Sequence, residues 1–510
     1  MSGAVDPVIG IELGPSAPTA PIALDGDPAA VTVRGDSTPV EVSAEFVERL
    51  SGVCASVRTD AEQRAEASRD WWPLAMTWAL ENQVGGLAGV VAGPTTAAEV
   101  ADVLALCEAD SVPVTTAAGR SGVCGASIPV YGGVVLDMCG LAGVRSVDNE
   151  SLILDVLPGT FGDHLEKELR EQHGLTLGHW PQSMTLSTVG GWLACRSAGQ
   201  MSNRYGKIED MVVGLDVVLA DGRQITTGGA PRSAIGPDLT QVFVGSEGTL
   251  GVIVGARLRL HPAPVTDSRL AVGFSSFAAG LDACRRILQR GARPAVLRLY
   301  DTVESDRNFS TGDEHHLLLI LDEGDPALVT ATMAIAAEEC AEAHALDAGL
   351  VDQWMGHRND VGALEPLIAG DLVVDTMEIS APWSALSPIY DAAVAAIGAV
   401  EGTLAVSAHQ SHAYDDGACL YFTFAGKPPV DAKDAYYRAA WDAGTHAVLN
   451  GGGSLSHHHG VGMNRDRFMT EALGSGFDVL TAIKDALDPT GILNPGKLGL
   501  RSPFGGNPWP

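Results

Sequence analysis

Three adjacent histidines, His457, His458 and His459, stand between glycines in the stretch GGGSLSHHHGVG, residues 451–462. Imidazole titrates near neutral pH and also binds metals, so three readings are open: a metal site, acid–base groups beside a cofactor, or a run that is merely rich in imidazole. Consecutive side chains diverge in a strand or a helix, so all three cannot face one centre. One or two should point at a reaction site and the third should serve structure. Arg298 alternates with apolar neighbours in AVLRLYD, and Arg358 lies in WMGHRND. Tyr421 lies in LYFTF, where pattern alone predicts core packing.

Charge limits what these groups can serve. The 510 residues carry 63 acidic and 32 basic side chains, a net charge of −31, which repels nucleic acid and anionic lipid. An anionic substrate would need a local Arg or His cluster to overcome that field. The eight cysteines are widely spread without C-x-x-C, the pattern of reduced thiols in a cytoplasmic enzyme. Apolar runs are too short for a stable membrane span, and the first residues predict no signal peptide.

The elements that must position these groups are readable in part. From Gly89, GVVAGPTTAAEVADVLALCEADSVPVTTAAGRSG predicts strand, helix, strand and loop, with Thr96 and Glu99 as a capping box and Val100, Val103, Leu104 and Cys107 on one face. GGVVLDM and LILDVLPG predict strands, and TFGDHLEKELREQHG a second capped helix. IEDMVVGLDVVLADGRQITTGG predicts a hairpin turning at Asp221-Gly222. Beyond Pro264, strands such as LAVSAHQ and ACLYFTFAG alternate with amphipathic helices.

No strand-linked GxGxxG is present, and GILNPGK has Leu498 where a P-loop needs Ser or Thr. Three loops of mainly small residues remain. They comprise Thr115, Thr116, Ala117, Ala118, Gly119, Arg120 and Ser121; then Pro181, Gln182, Ser183, Met184, Thr185, Leu186 and Ser187, continuing to Cys195, Arg196, Ser197 and Ala198; and Glu247, Gly248, Thr249, Leu250, Gly251, Val252 and Ile253. Each alone reads as a tight turn. Converging, their backbone N–H groups could wrap a dinucleotide.

The order PQSMTLSTVGGW, YGKIEDMVV, GPDL, GSEGTLGVI and DPTGILNPGK resembles the FAD-binding family of vanillyl-alcohol oxidase and p-cresol methylhydroxylase (PCMH) type, from about Gly89 to Leu500. The resemblance implies an α+β fold: a two-subdomain PCMH-type FAD-binding domain, an α/β substrate-cap domain with an antiparallel sheet, and a C-terminal helical segment. Residues 1–45 are expected to be a loosely ordered arm, 46–88 an N-terminal helical segment, 89–264 the FAD-binding domain, 265–430 the cap, and 431–510 the C-terminal helical segment with the histidine run.

Within that family, STVGGW, YGKIED, GPD, SAPW (380–383), DDGACLYF (415–422) and GGSLSHHHGVG are similar to the alkyldihydroxyacetonephosphate synthase branch. That likeness implies non-covalent FAD and exchange of an acyl for an alkyl group through a flavin N5 adduct, a step of ether-lipid synthesis. By the same likeness Tyr421 is the acid–base group, Arg298 serves the flavin site, Arg358 binds a lipid phosphate, and His457, His458 and His459 hold phosphate and move protons. A homodimer is left open. The alternative is a D-2-hydroxy-acid or alcohol dehydrogenase or oxidase passing hydride to flavin N5. Such dehydrogenases resemble this chain but carry GDGNLH and GEHG elements that hold a divalent metal. Here Tyr421 lies near the second histidine and His458 replaces the glutamate, while His409 and His412 remain. No metal is assigned. The first loop also departs from the usual P-x-G-G-G-T-S, with Ala117 and Ala118 for two glycines and Arg120 for threonine. Alanine fits only if φ is negative there.

Overall fold

The structure, a computed structural model, describes residues 13–312 and 314–506; the first twelve residues of the expected N-terminal arm lie outside the described residues. Among the described residues no helix is long and apolar enough to cross a membrane. The chain folds into mixed helix and sheet. A four-stranded sheet runs in the order Val57–Arg58, Val90–Ala92, Val134–Asp137, Val114–Ala117, the last three mutually parallel. Helix Ala97–Asp110 makes the crossover that parallel strands require. Its start is the expected box: Glu99 N donates to Thr96 Oγ1 and Thr96 N to the Glu99 carboxylate. Val100, Val103, Leu104 and Cys107 are its buried face.

A five-stranded antiparallel sheet follows, in the order Gln224–Thr226, Val212–Val218, Val252–Arg259, Ile153–Val156, Val144–Asp148. The hairpin turn at Asp221-Gly222 forms as expected, with Gly222 at φ +80°, where a side chain would be strained. Two expectations are corrected. Helix Gly162–Glu168 has no side-chain cap, because Phe161, which has no side-chain acceptor, occupies the N-cap position, while the Thr160 hydroxyl one residue earlier donates to the Leu157 carbonyl at 2.8 Å; its last turn widens into a π turn over Leu169–His173. Residues 178–199, which follow neither period, include helix Val189–Cys195. Burial of Trp192 and Leu193 there outweighs the low helix propensity of two glycines.

Residues 266–426 form a seven-stranded antiparallel sheet, ordered His344–Ala345, Thr266–Phe274, His316–Gly324, Val296–Tyr300, Thr403–Ala413, Gly417–Gly426, Val373–Pro382. Helices Phe277–Gln289, Pro326–Glu339, Trp383–Gly398 and Lys433–Asn450 pack on it around one apolar core. Its last three strands place the chemistry.

Candidate active site

Strand Gly417–Gly426 alternates in burial from Leu420 onward. Leu420, Phe422 and Phe424 are fully buried in the core beneath the helices, so Tyr421, Thr423 and Ala425 face the other way. Register carries this face across three strands: His409 pairs with Tyr421 and Tyr421 with Glu378; Ser407 pairs with Thr423 and Thr423 with Thr376; Ala405 pairs with Ala425 and Ala425 with Val374. Directly opposite residues share a face. The sheet therefore presents three rows: ionisable, hydroxyl and apolar. Tyr421 is thus not core packing.

A cavity of about 1040 Å³ lies against these rows, walled on its other side by all three sequence-predicted loops. The loops meet closely. A Cβ on Gly119 would stand 2.1 Å from the Leu186 carbonyl oxygen, and one on Gly248 3.4 Å from Thr116 Cβ. Ala117 and Ala118 do not have positive φ, so alanine is accommodated there; Arg120, at φ +55°, is the strained residue of that loop. Thr116, Ala117, Ala118, Gly119, Arg120, Ser121, Pro181, Gln182, Ser183, Leu186, Ser187, Cys195, Ser197, Ala198, Glu247, Gly248, Gly251 and Ile253 form wall. Thr115, Met184, Leu250 and Val252 turn into the fold, Thr249 bonds the Ser246 carbonyl, Thr185 lies off the wall, and Arg196 pairs outside with Glu209 at 3.3 Å. Thr188, Gly190 and Gly191, inside the second loop, are wall as well, and Ser246, one residue before the third loop, is a wall residue that loop composition did not single out.

A flavin dinucleotide fits these walls. Thr116 Oγ1 and Gln200 Oε1, both from wall residues, are buried with no hydrogen-bonding partner among the described residues, as expected where a polar ligand completes the wall.

At the polar end, Tyr421 donates to Thr376 Oγ1 at 3.0 Å and its ring stacks on His409, centroids 4.8 Å apart. Burial raises the phenol pKa above its ordinary value. Arg298 reaches His409 Nε2 at 2.6 Å and Tyr300 Oη at 2.7 Å, and His409 Nδ1 meets Glu304 Oε2 at 2.6 Å. Burial, reinforced by the Arg298 charge, lowers the His409 pKa to about 4. Glu304 also accepts from Thr423 and Ser407 and pairs with Arg307. Arg358 is on the wall with its guanidinium 5.6 Å from the Trp180 ring.

The histidine run is an irregular loop pinned at both ends by carboxylates. Glu378 Oε1 accepts from the backbone N–H of His457, His458 and His459 at 3.2, 2.9 and 2.7 Å, while its other oxygen pairs with buried Arg465. Burial alone would raise the Glu378 pKa; Arg465 and His459 outweigh it and hold the carboxyl well below the usual range. Glu247 accepts from Val461 N at 2.5 Å and Gly462 N at 2.9 Å, so this third-loop carboxylate serves the histidine loop and is not free for a cofactor. His458 and His459 line the cavity, whereas His457 lies behind them, bonded to Tyr414. Ring nitrogens of His412, His457 and His458 lie within 4.8 Å of one another, a spacing that would admit an ion, although the Nδ1 atoms of His457 and His458 are hydrogen-bonded together at 2.8 Å.

Comparison with known proteins agrees with this architecture. Residues 88–228 match the FAD binding domain family, and residues 264–498 the C-terminal domain of FAD linked oxidases. The chain is 32% identical to an uncharacterized FAD-linked oxidoreductase, YgcU, of Escherichia coli K12, across 76% of this chain and 84% of that protein. It is 31% identical to an alkyldihydroxyacetonephosphate synthase of Dictyostelium discoideum, across 82% of this chain and 74% of that one. A solved alkyldihydroxyacetonephosphate synthase superposes with a TM-score of 0.75 at 26% identity, covering 93% of this chain and 90% of that one. With its FAD-binding loops and cap sheet in this arrangement, the chain belongs to the FAD-linked oxidase family with a PCMH-type FAD-binding domain, and FAD is its cofactor.

Proposed function

We propose that this flavoenzyme exchanges the acyl group of an acyl-dihydroxyacetone phosphate for a fatty alcohol, the reaction of an alkyldihydroxyacetonephosphate synthase, with FAD held non-covalently. The observation that carries this reading is the succession of rows on the cap sheet, from His409, Tyr421 and Glu378 through hydroxyls to Ala405, Ala425 and Val374. Beyond the apolar row the cavity continues along Leu372, Leu367, Leu364, Met76 and Trp71. Such a surface suits a substrate with an ionic reacting head and a hydrocarbon tail.

When bound, FAD supplies the redox-active ring against which the substrate carbon reacts. The residues supply placement and protons. Tyr421, protonated at rest, holds and moves a proton at that carbon. Arg298 and Arg358 bind the phosphate, giving the local cationic cluster that a −31 chain needs. His458 and His459 carry protons at the cavity wall.

A second reading, oxidation of a 2-hydroxy acid, draws on the same arginines, which suit a carboxylate equally, but leaves the apolar end without a role. Incubation with palmitoyl-dihydroxyacetone phosphate and labelled hexadecanol separates them. Label in an ether product supports exchange. No label, together with rapid anaerobic bleaching of the flavin by a small hydroxy acid, supports oxidation.

A further inference from the structure

Arg298 and Glu304 come from one short stretch, RLYDTVE. Strand Val296–Tyr300 ends and helix Thr302–Phe309 begins at Asp301, whose carboxylate caps the helix by accepting from Glu304 N at 2.8 Å. A glutamate three residues past a cap normally reaches back to the cap's own N–H. Here Asp301 N donates to the Ala408 carbonyl at 3.0 Å, so the Glu304 carboxylate is released from that task. It turns inward and lines the cavity while being 1% exposed. Oε1 accepts from Thr423 at 2.9 Å and Ser407 at 3.1 Å and pairs with Arg307 at 3.0 Å; Oε2 meets His409 Nδ1 at 2.6 Å. Burial alone would raise its pKa, but His409, Arg307 and Thr423 outweigh it and hold the carboxyl at about 2, so Glu304 is an anion at neutral pH.

An ionised carboxylate only accepts, so His409 Nδ1 carries the hydrogen, and the neutral ring then has its lone pair on Nε2. Arg298 Nη2 donates there at 2.6 Å, and Arg298 Nε donates to Tyr300 Oη at 2.7 Å. Two of the three guanidinium nitrogens are thereby anchored. The third, Nη1, makes no hydrogen bond among the described residues and stays accessible. Arg298 is a cavity-wall residue and the one partly exposed residue of its strand. Two guanidinium cations against one carboxylate leave this group one positive charge, the sign an anion needs in a chain of net charge −31. The opposite tautomer would set an imidazole N–H against an arginine N–H, and the guanidinium would lose its inner anchor.

We propose that Glu304 is a positioning residue: by holding His409 as an acceptor it aims the Arg298 guanidinium at the anionic group of the substrate. Glu304 itself binds no substrate; it acts through the imidazole. The inference deepens the proposed function and rests on its reading that Arg298 binds the substrate's anionic head, a demand that exchange and hydroxy-acid oxidation share. Glutamine is the informative replacement. Arg307, Thr423 and Ser407 all donate to the Oε1 position, and Arg307 can only donate, so the amide oxygen takes that side and the amide NH₂ faces His409. Nδ1 then has to accept, its hydrogen moves to Nε2, and donor meets donor at Arg298.

The test uses the full-length, FAD-loaded protein labelled with ¹⁵N-histidine, with His409 identified by the signals lost in His409→Gln. NMR reads which ring nitrogen carries the hydrogen, and calorimetry measures Kd for inorganic phosphate. The native protein is expected to carry the hydrogen on Nδ1. Glu304→Gln is expected to carry it on Nε2 and to bind phosphate at least about tenfold more weakly, the scale of one lost charge-assisted hydrogen bond. Glu304→Asp keeps an acceptor, and with it the native tautomer and a phosphate Kd within about threefold of native; it serves alone if Glu304→Gln fails to fold. A native hydrogen on Nε2 overturns the proposal, as does a native protein that binds no phosphate. So does a retained tautomer or unchanged phosphate binding in Glu304→Gln, or a loss of about tenfold in Glu304→Asp with the tautomer kept. Phosphate binding as expected, in a protein that exchanges no alkyl group, refutes the proposed reaction and leaves Glu304 in its role.

Discussion

Arg298 and His409, on adjacent cap strands, lie 2.6 Å apart through guanidinium Nη2 and imidazole Nε2. Arginine can only donate, so Nε2 must be the lone pair and Nδ1 must carry the proton given to Glu304. His409 is therefore a neutral, fixed tautomer between a cation and an anion.

This arrangement predicts a displaced titration. His409 should stay neutral down to about pH 4, well below the ordinary 6.5, because burial and Arg298 disfavour its charge. The unfolded chain binds a proton at His409 between those values and the folded chain does not. Stability from this group is thus complete above about pH 6.5 and is lost as pH falls towards 4, by at most about 1.4 kcal/mol per pH unit. Urea titrations at pH 7, 6 and 5 should show native stability dropping relative to His409→Gln. A constant difference would contradict the assignment.

Tyr421→Phe removes only the hydroxyl held by Thr376. Flavin absorbance and melting temperature should stay close to native, while turnover falls by about 10²-fold or more, the usual scale for a lost acid–base group. Steady-state assays of the label exchange measure this, and unchanged turnover would remove Tyr421 from the chemistry.

Glu378→Gln should be the most destabilising of these substitutions, by about 3–5 kcal/mol, because it leaves Arg465 buried without its anion. It also loosens three amides of the histidine loop. Urea unfolding reads the first effect and amide hydrogen exchange over 457–459 the second.

How much of this was legible in the sequence differs residue by residue. The capping box at Thr96 and the hairpin at Asp221-Gly222 are local devices, and local pattern predicted both. In LYFTF, Tyr421 and Thr423 share the alternate face opposite two phenylalanines, so the cue was present but rested on one hydroxyl. Val252 and Ile253, neighbours in one loop motif, split between core and wall because the motif already runs into a strand. Glu378 and Glu247 hold the histidine loop across 79 and 214 residues of chain, and no spacing rule reaches that far. Glu304 shares a helix with Asp306 and Arg307, yet is 1% exposed, and no local pattern marks it as buried.

Gly119→Ala should weaken FAD binding by at least about tenfold, since the added Cβ meets the Leu186 carbonyl oxygen and forces two cofactor loops apart. Gly356→Ala, in an open helical position with nothing within 4 Å, is the matched control and should bind FAD normally. Fluorescence titration of the flavin-free proteins compares them.

The central claim is that the cavity floor grades from ionisable to apolar beside the flavin. Titration of the FAD-loaded protein with straight-chain alcohols of four to ten carbons, followed by flavin fluorescence, tests it most directly. Each methylene buried contributes about 0.8 kcal/mol, so the account predicts Kd tightening up to about fourfold per carbon. A Kd that does not change with chain length would contradict it.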